Sequence, residues 1–257
     1  MKILLNADDF GYSDDTVAAT IECFESGALT SATIMPNMPA TAKAVEYACA
    51  HPELSFGIHL TFAGDGTERP MLDPARIPDL VLPSGAFRGG GEVMSRGTLR
   101  HIDVRQVQAE MDAQIRSLLD KGVRLSHVDS HGHIHKAWPF VQAMRALLPG
   151  FGLGRVRRGQ NVWFRTPYKS PTFWTGGILH PRIDRYFRTT DRFFMPNRLE
   201  DAARMTSLLA RRPPGTLEVG VHPGYAEDWR DAERRGVQAF AAAVRAGGFA
   251  LSSWNAL

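Results

Sequence analysis

The sequence predicts an α/β fold, a parallel sheet or barrel with right-handed crossovers, and three observations predict it. Short apolar runs, about seven of them, alternate with stretches of helical periodicity, which is the pattern that βαβ units impose. The chain has 257 residues, enough for one large core and a length that α/β barrels commonly reach, so a single domain spanning 1–257 is expected. Four of the strand-like runs end in acids or histidines, as strands do when their C-terminal tips carry the chemistry.

The elements follow in order. KILLNA (2–7) is continuously apolar, reads as a buried strand, and delivers Asp8 and Asp9 at its tip. A helix follows from Ser13, a side chain suited to the N-cap, with Val17, Ala18, Ile21, Cys23 and Phe24 as its apolar face and Gly27 as its stop. SATIMP (31–36) reads as strand, Ala40 to Ala50 as helix and LSFGIHLTF (54–62) as strand. Residues 63–100, rich in Gly, Pro, Asp and Arg with GGG at 89–91, read as a long loop insertion with little regular structure; such loops are usually functional. Val104, Val107, Met111, Ile115, Leu118 and Leu119 predict a helix over 104–120, and VRLSHVDSH after it is a strand running into a polar tip. Next come a helix over 138–148, strand-like GRVRR, a loop-like aromatic stretch from 159, and a helix over 199–210. TLEVGVHPGY (216–225) is a strand ending in His222, and an Ala-rich helix over 231–246 and strand-like FALSS (249–253) come last.

Composition removes several function classes. Hydrophobic residues make up 44% and charged residues 22%, with no low-complexity tract, which argues against a disordered or fibrous chain. The N-terminal apolar run turns polar too soon for a signal peptide or a membrane span, so a cytoplasmic protein without a transmembrane segment is expected. Net charge is +3, and the arginine clusters at 154–160 and 182–192 carry no nucleic-acid motif and include Asp184 and Asp191, so no nucleic-acid partner is expected. Cys23 and Cys49 form no C-x-x-C pair and read as small buried hydrophobes. His51, His101 and His180 read as ordinary core or surface residues. Neither a G-x-G-x-x-G after the first strand, nor a P-loop, nor a G-x-S-x-G elbow occurs.

HVDSHGHIH (127–135) sets four histidines and an aspartate within nine residues at a strand tip. Such a cluster is costly to bury, and imidazole is the commonest neutral metal ligand. Side chains alternate along a strand, so His127, Asp129, His131, His133 and His135 share one face if the strand runs on, with Gly132 expected to bend it first. A catalytic metal site takes about three protein ligands and leaves room for water or substrate. The natural set is one of Asp8 or Asp9, then His59, then one histidine of the cluster; the remaining acids and histidines serve as base, acid or orienters. Two imidazoles and a carboxylate suit zinc or a neighbouring transition ion better than magnesium.

NADDFG (6–11), GIHL (57–60), HVDSHGHIH (127–135) and EVGVHPGY (218–225), in that order, resemble the four motifs of the YdjC-like carbohydrate deacetylases, which include the chitooligosaccharide and hopanoid-associated deacetylases. The resemblance runs from residue 2 to the C-terminus, where SSW (252–254) also fits. It implies an irregular (β/α) barrel akin to that of the NodB-like polysaccharide deacetylases, and removal of an acetyl group from an N-acetylated amino sugar, an oligosaccharide or glycolipid, with one divalent metal ion. By the same resemblance Asp9, His59 and His131 ligate the metal, Asp8 is the general base, and His222 is the general acid that protonates the leaving amine. His127, Asp129, His133 and His135 are implied near the site, with His133 or His135 meeting substrate hydroxyls. The insertion at 159–195 is unusually aromatic, with Trp163, Phe164, Tyr168, Phe173, Trp174, Tyr186, Phe187, Phe193 and Phe194, and its rings either select the substrate or pack as a cap. Arg157 and Arg158 are candidates for an anionic group. A homodimer is expected from the base rates of oligomers alone. The rival is a metal-dependent phosphoesterase or other hydrolase on a similar barrel, which calls for two metal ions and more carboxylates than one DD pair offers. A non-enzymatic metal module fits less well, because structural sites are closed and thiolate-rich.

Overall fold

A computed structural model describes residues 1–64, 68–165, 183–196, 199–211 and 214–257. Strand β1 (Lys2–Phe10) is buried at every residue after Lys2, as a central strand covered on both faces must be. After it come α1 (Asp14–Glu25), β2 (Ser31–Ile34), α2 (Thr41–Ala50), β3 (Ser55–Leu60), α3 (Gly90–Thr98), α4 (Val104–Leu119) and β4 (Leu125–Ser130). They are followed by α5 (Trp138–Leu147), β5 (Arg192–Phe194), α6 (Leu199–Ala203), β6 (Thr216–Val221), α7 (Asp228–Ala246) and β7 (Ala250–Leu251).

Every strand pairing is parallel, in the order β4-β3-β2-β1-β6-β5, with β7 also on β1. One edge of β1 holds β6 along Lys2 to Ala7, while the other takes β7 at Lys2 and Ile3 and β2 from Asn6 onward. Isolated bridges Val128↔Val156 and Arg155↔Arg188 carry the pairing from β4 towards the run that becomes β5. Backbone hydrogen bonds thereby pass around the ring, and the sheet curls into an irregular barrel. Because all strands run one way, the tips of β1, β3, β4 and β6 open on one mouth, which brings Asp9, His59, His131 and His222 together.

The helices begin where the sequence supplies caps. Ser13 and Thr16 form a reciprocal capping box on α1, and the Asp103 carboxylate accepts from the Arg105 amide to start α4. Phe10, Phe24 and Phe56 pack with ring centroids 5.5–6.1 Å apart between α1 and the sheet.

Several expectations need correction. Residues 63–100 are not irregular throughout: a 3-10 turn spans Pro74–Arg76 and α3 spans Gly90–Thr98. Glycines hid α3, because Gly is a poor helix former, yet a Cβ on Gly97 would lie 3.1 Å from Ala137 Cβ, so a bare backbone suits that close packing. Glu110 holds the preceding loop by accepting from the amides of Met71 and Leu72. The helix expected over 199–210 breaks after Ala203 into a 3-10 turn at Met205–Arg211, GRVRR pairs only through isolated bridges, and β5 lies in the stretch read as loop. Helix α7 starts at Asp228, three residues ahead of the expected 231, which places Trp229 and Arg230 on its first turn. Cys23 is buried as expected, but Cys49 is exposed: the buried stripe of α2 is Thr41, Ala44, Val45 and Ala48, and position 49 falls off it. His180, Tyr168, Phe173 and Trp174 lie outside the described residues. Among the described residues, no helix is long and apolar enough to cross a membrane.

Candidate metal centre at the barrel mouth

Strand β1 does not end as an ideal strand. Asp9 has φ of 57°, in the left-handed region that costs a non-glycine residue about 1–2 kcal/mol. The alternation of side chains is broken there, and Asp8 and Asp9 each offer an oxygen within 4.8 Å of a His59 nitrogen. A second left-handed turn follows β4, where Gly132 (φ 61°) and His133 (φ 55°) reverse the chain directly after His131. The bend expected at Gly132 therefore separates His131 from the histidines beyond it.

Three donors converge. Asp9 Oδ1 lies 3.0 Å from His131 Nδ1 and 3.3 Å from His59 Nε2. A tetrahedral ion with bonds of about 2.0–2.2 Å places its ligand atoms ~3.3–3.6 Å apart, so these two spacings need to open by only a few tenths of an ångström to take such an ion. The other His59 nitrogen, Nδ1, is 2.6 Å from Asp129 Oδ1, its direct neighbour across β3 and β4. This carboxylate fixes the ring so that Nε2 faces Asp9, the arrangement that typically orients a ligating imidazole. Thr33 adds a hydrogen bond to Asp129 Oδ2. The second oxygen of Asp9 is occupied separately, accepting from Arg230 Nη2 at 2.8 Å.

Charge explains the protonation states. Burial pushes the His59 pKa down, but Asp129, Asp9 and Asp8 outweigh it and raise it to about 10. The potential that holds a proton on this imidazole is the same one that favours a metal cation. Burial raises the Asp9 pKa, yet hydrogen bonds from His131 and His59 hold the carboxyl well below its usual range.

Asp8 is buried and gripped from two sides by Arg157, Nη1 to Oδ2 at 2.5 Å and Nη2 to Oδ1 at 2.8 Å, with Asn6 donating to Oδ1 at 2.9 Å. Burial works against its ionisation, but Arg157 and His59 prevail and keep it a carboxylate far below the ordinary range. Arg157 also meets Asp129 Oδ2 at 2.6 Å and Glu218 Oε1 at 2.7 Å. This corrects its expected role: a fully buried guanidinium already paired with three acids is not a contact for a substrate anion. Glu218, buried against it, has its pKa pushed up to about 7 by that burial.

His222 follows β6. Its amide donates to Glu233 Oε2 at 2.7 Å and its Nδ1 lies 3.1 Å from the same oxygen, leaving Nε2 for proton exchange. Burial lowers its pKa, but Glu233, Asp9 and Asp8 together raise it above the usual histidine value.

The other sequence-predicted residues surround this centre. His127 is buried, stacked on Trp254 with centroids 4.5 Å apart, and bonded to Ser126 Oγ. His135 engages both nitrogens, with Ser130 Oγ at 2.7 Å and the Arg157 carbonyl at 3.0 Å, and burial pushes its pKa down to about 3. It is a neutral brace for the Arg157 backbone, with no ring nitrogen left for a substrate hydroxyl. His133 sits edge-on to Phe193 at 5.6 Å. Arg158 donates Nη1 to the carbonyls of Thr190 and Asp191, and half-buried Trp163 follows the Asn161 and Val162 amides that donate to the Phe193 carbonyl. The structure thus groups Arg158 and Trp163 with the β5 edge.

Arg230, Glu233 and Glu218 were missed by sequence reading. DWRDAERR looks like a solvated charge run, yet its signal was present: Arg230 and Glu233 continue the buried stripe of Val237, Phe240, Ala241 and Val244 at helical spacing.

Fold and site define an α/β barrel protein whose strand tips gather an Asp-His-His donor set suited to a divalent ion. The chain belongs to the family of YdjC-like proteins, whose model matches residues 2–250. It is 34% identical over 233 residues to a carbohydrate deacetylase of Halalkalibacterium halodurans, covering 89% of this chain and 87% of that protein. Proteins of the same description from Geobacillus stearothermophilus (34% identity, 86% and 79% covered) and Listeria monocytogenes (37%, 72% and 74%) also match. A crystal structure from Enterococcus faecalis V583, described as a candidate cellobiose-phosphate cleavage protein, shares the fold with a TM-score of 0.76 at 24% identity, covering 98% of this chain and 97% of that one. The Xyl-CE4 domain of a multidomain xylanase from the hindgut metagenome of Trinervitermes trinervoides aligns with a TM-score of 0.50 at 7% identity, covering 98% and 86%. The parallel, curled α/β sheet with helices around it agrees with the fold class implied by the motif resemblance, and the Enterococcus faecalis structure shares it.

Proposed function

We propose that this chain is a metal-dependent carbohydrate N-deacetylase, which hydrolyses the amide of an N-acetylated amino sugar to acetate and a free amine. The observation that carries the reading is the sharing of Asp9 Oδ1 between His59 and His131, with Asp8 adjacent and His222 across the mouth, in a chain whose relatives bear the name carbohydrate deacetylase. Asp9, His59 and His131 hold one divalent ion; their donor chemistry favours zinc or a similar ion over magnesium. When bound, such an ion acidifies a water and polarises the acetamide carbonyl. Asp8, kept ionised and fixed in orientation by Arg157, accepts the proton of the attacking water. His222, its Nδ1 held by Glu233, delivers a proton from Nε2 to the leaving nitrogen, without which an amine is a poor leaving group. Asp129 orients His59, while His127 and His135 brace the structure behind the donors. We place the reaction in the cytoplasm, on an oligosaccharide or a lipid-linked sugar.

The test is acetate release from a panel of N-acetylglucosamine compounds (monomer, chitobiose, nucleotide-linked and lipid-linked) by chelated protein refilled with zinc or magnesium. Acetate that depends on the added ion supports the reading. Phosphate from phosphorylated sugars, with no acetate from any panel member, replaces it with the phosphoesterase.

A further inference from the structure

The deacetylase reading says which groups cut the amide and leaves open what recognises the sugar. In an N-acetylated amino sugar the amide nitrogen is bonded directly to a ring carbon. A proton donor that reaches this nitrogen must therefore have the pyranose ring alongside it. The side chain packed against His222 is Trp229, whose ring meets the imidazole edge to face with centroids 5.5 Å apart.

Trp229 is held firmly for a surface residue. Its Nε1–H donates to Glu227 Oε1 at 3.0 Å, and the Arg230 guanidinium lies 4.4 Å from its ring centroid. Arg230 is in turn fixed by Glu227 Oε2 and by Asp9 Oδ2. The indole is thus tied through one arginine to the carboxylate that contributes the shared donor oxygen. Despite these contacts it remains 38% exposed. Among the described residues six large hydrophobic side chains are exposed, and Trp229 is the one whose ring touches a proposed catalytic group. A rigid, open indole beside charged catalytic residues gains nothing from water, and it offers the flat apolar surface that the C–H face of a sugar ring covers.

We infer that Trp229 is the platform on which the pyranose ring bearing the acetamido group stacks, and that it selects amino sugars over acetamides without a ring. The inference rests on the deacetylase reading, and it locates the sugar at the first turn of α7 rather than at the aromatic stretch around Trp163.

The experiment compares Trp229→Phe, which keeps a stacking ring but loses the N–H donor, with Trp229→Leu, which keeps apolar volume without a ring. Binding of chitobiose and of N-acetylethanolamine is measured by calorimetry on the metal-free proteins, and KM and kcat for chitobiose on the zinc-loaded ones. Metal content and the thermal midpoint establish that each variant is folded. For Trp229→Leu, chitobiose affinity falls and KM rises about tenfold with a smaller change in kcat. Trp229→Phe stays within about threefold of wild type, and N-acetylethanolamine affinity is the same in all three proteins. Equal losses in the Phe and Leu variants overturn the platform, because the N–H bond rather than the ring face would then matter; an unchanged Leu variant overturns it as well. If wild type releases acetate and the Leu variant behaves identically, the platform alone falls. If wild type binds sugar through Trp229 but releases no acetate, the reaction falls and the platform stands. A wild type that neither binds nor deacetylates any sugar removes both.

Discussion

Asp9 divides its two oxygens between different tasks, Oδ1 towards His59 and His131 and Oδ2 towards Arg230, while its neighbour Asp8 is turned onto Arg157. That division predicts opposite outcomes for two similar substitutions. Asp9→Asn removes the anionic donor and loses bound metal on dialysis. Asp8→Asn retains metal and loses turnover by a factor of about 10²–10⁴, the usual contribution of a general base. Metal analysis beside single-turnover acetate release separates them, and an Asp8→Asn protein with wild-type turnover removes Asp8 as the base. With His222 as the proposed general acid, the pH profile should report on it. A general acid works only while protonated, so activity declines as pH rises through its pKa, which lies above the ordinary value of about 6.5. Glu233→Gln keeps an oxygen for the His222 amide but removes the charge that raises this pKa, so the alkaline limb of kcat/KM moves to lower pH. A limb that does not move assigns it to another group. The DD pair and the histidine motif were legible because acids and imidazoles crowded at strand tips mark a site, although His127 and His135 within the motif turn out to brace the structure. Arg230 and Glu233 were not, since charges on a helix are ordinarily solvated and only their continuation of a buried stripe marks them.

At the scale of elements, the glycine of GIHL explains how β3 and β4 bring His59 against Asp129. A Cβ on Gly57 would lie 2.6 Å from the His127 ring and 2.7 Å from the His127 carbonyl oxygen. Bare backbone is required for the His127 ring to lie across β3 while the strands hold the register His59↔Asp129. Gly57→Ala thus forces either ring or strand aside, and a destabilisation of about 1–3 kcal/mol is expected, as for overpacking generally. Urea unfolding of the metal-free protein measures it, and an unchanged midpoint would show that the strands tolerate the methyl group. The failures of sequence reading at this scale share a cause. Helix α3 begins in a glycine run, β5 has three residues, and the 155–157 segment pairs through single bridges, so none is long enough to show a period. The long strands and amphipathic helices that form most of the ring were legible because burial on one or both faces wrote a pattern into them.

Across the whole molecule the site doubles as a knot. Arg157, on the segment that closes the ring, binds Asp8 of β1, Asp129 of β4 and Glu218 of β6, and Asp129 passes the link to His59 of β3. Four strands are therefore joined by buried ionic contacts, and the stability of the metal-free fold must follow their titration. His59 has its folded pKa raised from 6.5 to about 10, so its contribution is complete below about pH 6.5 and is lost as pH rises through 10. Asp8 and Asp9 have depressed pKa values, so their contribution is complete above about pH 4 and is lost only in strong acid. Between about pH 6.5 and 10 the metal-free protein becomes less stable as pH rises, because the folded chain keeps the His59 proton that the unfolded chain has already released. A divalent ion held by Asp9, His59 and His131, as proposed, would invert the trend, since it requires the neutral imidazole and binds better as protons leave. Thermal unfolding at about pH 6.5, 8 and 9.5, with chelator and with zinc, should give a midpoint that falls with pH in the first series and a zinc-dependent increment that grows with pH in the second. Asp129→Asn removes the largest influence raising the His59 pKa and should flatten the first series. A metal-free midpoint independent of pH over this range would mean that His59 is neutral in the folded chain and that the carboxylates at the barrel mouth are balanced by Arg157 and Arg230 alone.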